Sequence, residues 1–473
     1  MLIQDMYVQG NSYQSGDMND VINPATDEVI ATIQVADDTT ARLALDSAKQ
    51  AEQTWGKTSI AERAQWMLRL RDVCIKNEEA LRTCVHLETG KTWADTQEDY
   101  QLLVDSLGFY AEEVKRYQPQ QLADLEGTSV HTLNYRPVGV VIAYLSWNFP
   151  LLNLGYKLGP AMAAGCPIIL KPSVQSPLSA YLVGDLCRQI GLPEGAVAII
   201  SGGARSVSNL LSSSPIPAMI TLIGSIATGV KIMQTAATTI KRYSMELGGN
   251  TPFVVFKDAD LDKAADVLTA LKYGNCGQIC VAPNRVFVDA TVEKAFLAKV
   301  LERTAKVKIG FGRYTDATMG PLINKSARED IHGLVMNAVS SGATIHAGGE
   351  IDSNSVGSFY PPTVISGVTE TMDIYQHEIF GPVISMVSFT EEEEVIQMAN
   401  DTDTGLASYI FSEDLAKAQR AAAAFEFGEV HINGVKYAIN LPHVGIKQSG
   451  IGCDCSTYAL DDYFYLTRTT RAL

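Results

Sequence analysis

Residues 138–171 read VGVVIAYLSWNFPLLNLGYKLGPAMAAGCPIILK. The run Val138–Leu145 is apolar and β-branched at its centre, which predicts a buried strand. Ser146-Trp147-Asn148-Phe149-Pro150 interrupts it with turn-forming residues. Leu151 to Ala164 then has helical character, and Pro167–Leu170 is a second apolar strand. The rhythm continues with a helix at Ser179–Ile190, a strand at Ala196–Ile200, a short helix at Ser206–Leu211 and a strand at Ala218–Ile223. Near-continuous apolar strands separated by helices of about 10–15 residues predict a parallel sheet covered on both faces. The pattern resumes with a strand at Thr251–Val255 and a helix at Leu261–Tyr273, so a second α/β unit follows the first.

Two segments break this rhythm. Ser129–Arg136 (SVHTLNYR) and Asp462–Thr469 (DYFYLTRT) alternate polar with apolar, aromatic and β-branched residues, the period of half-buried strands. They predict a separate hairpin-like extension suited to pairing with another subunit; edge strands within the same chain are the alternative.

At about 150 residues per domain, 473 residues suggest about three domains. The hydrophobic and charged fractions, 46% and 19%, are those of a folded globular chain and exclude disorder. With 37 basic against 53 acidic residues the formal net charge is −16, which argues against a nucleic-acid partner, since phosphate binding needs a basic surface. Eight cysteines in so long a chain are no disulfide framework. The opening MLIQDMYVQGNSY lacks both a basic and a sustained apolar region, so a cytoplasmic location is expected. Pro137 to Tyr156 carries no charge over a bilayer-spanning length, but Asn148, Pro150 and Asn153 interrupt it and no membrane partner is expected.

Open α/β sheets bind ligands at the carboxyl ends of their strands. Those ends deliver Ser146 to Pro150, then Lys171-Pro172-Ser173, Ser201-Gly202-Gly203-Ala204-Arg205, and Gly224-Ser225 with Gly229 five residues on. Glycine at a strand–helix junction lets backbone N–H groups face a phosphate. GSIATG is not the dinucleotide spacing, and alone it is equally a plain turn; a lysine and several small residues at the same edge point to a nucleotide. Glu246, before Leu247-Gly248-Gly249, ends an apolar strand where burial favours a general base, with a helix-capping or solvated carboxylate as the alternative. Asn275-Cys276-Gly277-Gln278-Ile279-Cys280 could present a thiol at a cleft, yet a thiol of pKa about 8.5 is only a few per cent ionised at neutral pH and needs help. Cys276 and Cys280 could also form a redox pair; no histidine has metal-site spacing to them or to Cys453 and Cys455, so no metal is expected.

Taken together, Ser-Trp-Asn-Phe-Pro, Lys-Pro-Ser, Gly-Ser-x-x-x-Gly, Glu-Leu-Gly-Gly, Gly-Gln-x-Cys and Glu378-Ile-Phe-Gly-Pro382 occur in the order and spacing of the NAD(P)-dependent aldehyde dehydrogenase superfamily. The resemblance runs from Val21 to Gly450. It implies a Rossmann-like cofactor domain (1–127 and 138–246), an α/β catalytic domain (247–430) and a β-strand oligomerisation segment (128–137 and 431–473), in a homodimer or homotetramer. It further implies that Cys280 attacks an aldehyde, that Asn148 and the Cys280 N–H hold the oxyanion, and that Glu246 activates water against the thioester. Lys171 and Ser173 would meet the adenosine ribose, and Gly224, Ser225 and Gly229 the pyrophosphate turn. Glu378 and Phe380 would meet the nicotinamide end, with Ser146, Trp147 and Leu247 along the path.

The departures from that pattern concern specificity. Val174 stands where NAD-preferring members often have glutamate, and Arg205 lies in the neighbouring strand-end loop, where it could pair with a 2′-phosphate, so NADP or dual use is expected; a solvated helix-start arginine is the alternative. His443 replaces an aromatic pocket residue, either to bond a polar substrate or to fill ring-shaped space. Asp454 and Cys453 replace a glutamate and an arginine. Arginines used by semialdehyde-acid members are absent at Tyr156 and Gly274, leaving Lys436 as a point charge. With Leu102, Phe149, Tyr156, Ile279, Val281 and His443 as walls, a small or medium apolar-to-hydroxylated aldehyde is expected, with succinate semialdehyde as the alternative. A CoA-acylating enzyme and an inactive nucleotide-binding structural protein are also weighed. Glu246 favours hydrolysis over CoA, and the retained Cys280, Asn148 and Glu246 favour an enzyme.

Overall fold

Val141–Tyr144 forms the centre of the first sheet, all four side chains buried. The computed structural model describes residues 4–203, 205–352 and 354–473; Ala204 of the 201–205 loop and the first three residues of the chain lie outside them. The sheet has eight strands in the order Asn11–Tyr13, Met6–Val8, Val197–Ile199, Ile168–Lys171, Val141–Tyr144, Met219–Gly224, Arg242–Leu247 and Gly450–Ile451. The five central strands are parallel, in a register that aligns Tyr144 with Lys171 and Leu222, and Gly224 with Leu247. The short outer strands are antiparallel. From Val141–Tyr144 the chain winds outward through Ile168–Lys171 to Val197–Ile199, then returns to the other side of Val141–Tyr144. The strand order therefore reverses between the ends of Val141–Tyr144 and Met219–Gly224, which opens a crevice there.

The central strand starts three residues later than its apolar run suggests. Gly139 has φ +114, and the Val140 N–H goes to a carboxylate oxygen of Glu52, so the chain turns before it joins the ladder. The helix Pro150–Ala164 begins at its proline, which lacks the N–H that a first helical turn leaves unpaired. Asp99 then accepts from the N–H groups of Leu151 and Leu152 at 3.1 and 2.7 Å, and is itself paired with buried Lys91 at 2.9 Å. The charge-free stretch is thus a strand end, a turn and a buried helix. Among the described residues no helix is long and apolar enough to cross a membrane.

The second sheet has seven strands: Thr344–Ala347, Thr363–Ser366, Val383–Phe389, Arg285–Asp289, Pro252–Val255, Ala407–Phe411 and Glu429–Ile432. All pairings are parallel except that of Thr344–Ala347. Each large sheet has its own buried apolar core. Ser129–Pro137 pairs with Phe464–Ala472 over nine residues, and Gln120–Leu122 adds a third strand, giving a sheet separate from the other two. Phe464–Ala472 is an edge strand, with Tyr465 and Leu466 exposed.

Candidate active site

A cavity of about 680 Å³ opens at the crevice of the first sheet and is walled on its far side by the second. Ser146, Trp147, Asn148 and Phe149 reach it from the end of Val141–Tyr144, Gly224 and Ser225 from Met219–Gly224, and Glu246 from Arg242–Leu247. Cys280 reaches it from a loop made tight by its backbone: Asn275, Cys276 and Gly277 all have positive φ, at 45°, 57° and 71°. At Gly277 a side chain would collide with the main chain of Gly381, so only glycine fits.

That loop is tied to Asn148. The Asn275 amide donates to the main-chain oxygens of Asn148 and Gln278, each at 3.1 Å, and the Asn148 amide also donates to the Gln278 oxygen at 3.1 Å. Asn153 donates to the Ser146 main chain at 3.2 Å and holds the other end of the turn. A buried side-chain amide is therefore fixed beside the thiol loop, although the two are 132 residues apart in sequence.

Glu246, Cys280 and His443 bring an oxygen, a sulfur and a nitrogen within 4.8 Å of one another. His443 Nε2 lies 3.4 Å from Glu246 Oε1, and Nδ1 lies 2.5 Å from Glu429 Oε1. Burial and the Glu246 carboxylate push the Cys280 thiol up, while His443 pulls it down. Burial raises Glu429 as well, but hydrogen bonds from His431 and His443 outweigh it and bring the carboxyl down to about 2. His443 is held well above its ordinary value: burial works against the charge, and the neighbouring Cys280, Glu246 and Glu429 overcome it.

Of the residues expected around a dinucleotide, Ser146, Trp147, Gly224, Ser225, Glu378 and Phe380 line the cavity. Ser225 caps the helix Ile226–Ala236, accepting from the Thr228 N–H, so that helix points its N-terminus at the crevice. Glu378 is folded over Gly248, where a Cβ would strike its carboxylate, and burial pushes it up to about 7. Trp147 and Phe380 meet edge to face at 5.5 Å. Lys171, Ser173 and Arg205 stand outside the cavity, at the neighbouring strand ends along the same sheet edge. The Lys171 ammonium donates to the Gly202 oxygen at 2.7 Å, and burial brings it down to about 8. Arg205 is exposed at the start of its helix. Gly229 and Leu247 do not line the cavity; a Cβ at Gly229 would lie 3.0 Å from Leu247, so this glycine serves close packing.

Leu102, Phe149, Tyr156, Ile279, Val281 and His443 all line the cavity, with Leu102, Tyr156 and Cys455 packed together. The ring nitrogens of His443 face the two carboxylates at 429 and 246. Cys276 and Cys280 are both free, and Cys276 is fully buried. Sequence reasoning missed Glu429. In the run EFGEVHING it resembles a solvated charge, and only the parallel pairing of Glu429–Ile432 with Ala407–Phe411 carries it into the site.

Comparison with known proteins agrees with this geometry. The model of the aldehyde dehydrogenase family matches residues 11–469. A mitochondrial succinate-semialdehyde dehydrogenase of Arabidopsis thaliana is 39% identical over 94% of this chain and 84% of its own. A glutarate-semialdehyde dehydrogenase of Pseudomonas putida is 36% identical over 97% and 96%. The crystal structure of succinate-semialdehyde dehydrogenase from Burkholderia pseudomallei superposes with a TM-score of 0.98 at 35% identity, covering 100% of this chain and 98% of that one. Matched along nearly its whole length in sequence and in fold, the chain belongs to the aldehyde dehydrogenase family.

Proposed function

We propose that the chain oxidises an aldehyde to a carboxylic acid, using NAD or NADP, through a thiohemiacetal and then a thioester on Cys280. The observation that carries this reading is the meeting of Cys280 and Glu246 in one cavity with the fixed amide of Asn148, at the sheet crevice. Sulfur attack splits one hard oxidation into two easier steps. The Asn148 amide and the Cys280 N–H stabilise the oxyanion that forms, and Glu246 deprotonates the water that cleaves the thioester. The dinucleotide, when bound, accepts the hydride. The crevice fits such a ligand, with a helix N-terminus and Gly224-Ser225 for the pyrophosphate, Lys171 and Ser173 beyond it for the adenosine ribose, and Glu378, Phe380 and Trp147 for the nicotinamide end. Arg205 and the absence of a carboxylate at Val174 favour NADP or dual use.

The test is formation of reduced cofactor with an aldehyde panel, with NAD and NADP, with and without CoA. Turnover without CoA is expected; a strict need for CoA would overturn the hydrolytic reading, and no turnover would overturn the enzyme.

Apolar walls at Leu102, Phe149, Ile279 and Val281 favour a small or medium aldehyde with an apolar or hydroxylated chain. Succinate semialdehyde is a second reading, favoured by Lys436 in the cavity lining and by the semialdehyde substrates in the relatives' names. Lys436→Met separates them, raising KM for the anionic substrate alone. The open edge of Phe464–Ala472 supports pairing with a second copy as a homodimer, or a homotetramer built from two.

A further inference from the structure

An aromatic ring at position 443 could only fill space; an imidazole there can carry a proton. Its surroundings are built for that. The His443 main chain exchanges two hydrogen bonds with Asp454, at 2.8 and 2.9 Å, which fixes the backbone that carries the ring. Tyr437 packs its ring against the imidazole edge to face, with the ring centres 6.1 Å apart. One oxygen of Glu429 takes Nδ1, and its other oxygen lies 3.4 Å from Nε2 of His431 on the same strand. Nε2 of His443 is thereby turned toward Glu246 and Cys280. A carboxylate thus fixes one nitrogen of an imidazole whose other nitrogen lies within 4.8 Å of a thiol, as in sites that activate a nucleophile through an oriented imidazole.

The thiol needs that help. Burial and the Glu246 charge both oppose its ionisation, so the few per cent of thiolate expected in water falls further here. Were Glu246 to take the thiol proton, it would be neutral when water must be deprotonated. We propose, resting on Cys280 as the nucleophile, that His443 oriented by Glu429 is a further catalytic residue. As an imidazolium it holds the Cys280 thiolate as an ion pair once the thiol proton has passed to solvent, leaving Glu246 free for water.

The step balances. The S–H bond breaks and its proton passes to solvent, leaving the thiolate beside the imidazolium; the sulfur electron pair forms the C–S bond while the carbonyl π pair moves to oxygen, and that carbon becomes acyl when its hydride leaves for the dinucleotide, when bound. In the second half, water gives its proton to Glu246 and its oxygen to the acyl carbon. The C–S bond then breaks, returning sulfur as thiolate to the imidazolium. The other ionisable groups facing the ring leave this arrangement in place. Asp454 is paired with Lys157 at 2.5 Å, and burial pushes the Cys455 thiol up to about 12 and the Cys453 thiol to about 11. Tyr437 is raised well above its ordinary value by burial and remains a neutral phenol.

The experiment is the rate of Cys280 alkylation by iodoacetamide against pH, without cofactor or aldehyde, using the intact enzyme. Labelling is assigned by peptide mass, with Cys280→Ala as the blank. His443→Phe is expected to move the inflection upward by at least about one pH unit and to slow alkylation at neutral pH about tenfold or more. Glu429→Gln moves it in the same direction, and His443→Gln, which keeps polarity without the positive charge, behaves as His443→Phe does. Urea midpoints within the wild-type range show that these variants are folded. Coincident profiles for wild type and both His443 variants would overturn the proposal, and an unmoved Glu429→Gln profile would overturn the part given to Glu429. Because alkylation needs no turnover, a failure here is distinct from a failure of the dehydrogenase reading, which the aldehyde panel alone decides.

Discussion

The Lys157 ammonium lies 2.5 and 2.7 Å from the two carboxylate oxygens of Asp454, and both side chains are buried. This ion pair joins the helix Pro150–Ala164, which follows the Asn148 turn, to the loop that bonds the main chain of His443. It is one of two fully buried lysine–aspartate pairs among the described residues; the other, Lys91–Asp99, caps the same helix.

Removing one partner of such a pair leaves a bare charge in the interior. Asp454→Leu or Lys157→Met is expected to destabilise the protein by about 3–5 kcal/mol, while the double substitution recovers most of that loss. Urea denaturation at neutral pH measures it. Single variants within about 1 kcal/mol of wild type would show that solvent reaches the pair.

Glu246→Gln keeps the shape of the site but removes the proposed base. Acylation then proceeds and hydrolysis stalls, so stopped-flow mixing should give one equivalent of reduced cofactor per active site. A steady state slower by about 10²–10⁴ follows. Loss of the burst together with the steady state would move the role of Glu246 to the acylation half.

Asn148→Ala removes the amide proposed as an oxyanion donor. It is expected to lower kcat by about 10²–10³ with dinucleotide affinity retained. Steady-state kinetics with a titration of the cofactor separates the two, and a loss below about threefold would take Asn148 out of the mechanism.

The sheet positions were legible because buried parallel strands are short apolar runs. Val141–Tyr144, Ile168–Lys171, Val197–Ile199 and Met219–Gly224 all lie within or one residue beyond the runs read as strands. The separate sheet was legible from its alternating sequence, and Ser129–Pro137 pairs with Phe464–Ala472 along its whole length, although burial does not alternate along either strand. Met6–Val8 and Asn11–Tyr13 were not read, since three-residue edge strands have no period to detect. The Glu429–His443 bond was also illegible. It joins a strand end to a loop 14 residues on, and no spacing rule links a carboxylate to a histidine across such a gap.

Arg205 tests the cofactor choice. It is exposed at the start of the helix Arg205–Ser213, two residues past Gly203, and Gly203 faces Val174. Arg205→Ala is expected to lower kcat/KM with NADP by about tenfold relative to NAD, as loss of a charge-assisted phosphate contact does. An unchanged ratio would leave the arginine as a solvated helix-start residue.

Lys171 is expected to give cofactor binding a pH dependence whose sign follows from its burial. Burial lowers its ammonium from 10.5 to about 8, so it is charged at neutral pH and loses its proton as pH rises through that value. A 2′-phosphate at the adenosine ribose needs the charge, whereas a ribose hydroxyl can bond the neutral amine. The Kd for NADP should therefore be flat below about pH 7 and rise above about pH 8, with NAD affected less. Lys171→Met should bind NADP more weakly throughout, with no rise across the same range. Fluorescence titration at several pH values decides it. A wild-type NADP affinity that stays constant through that window would remove Lys171 from contact with the phosphate.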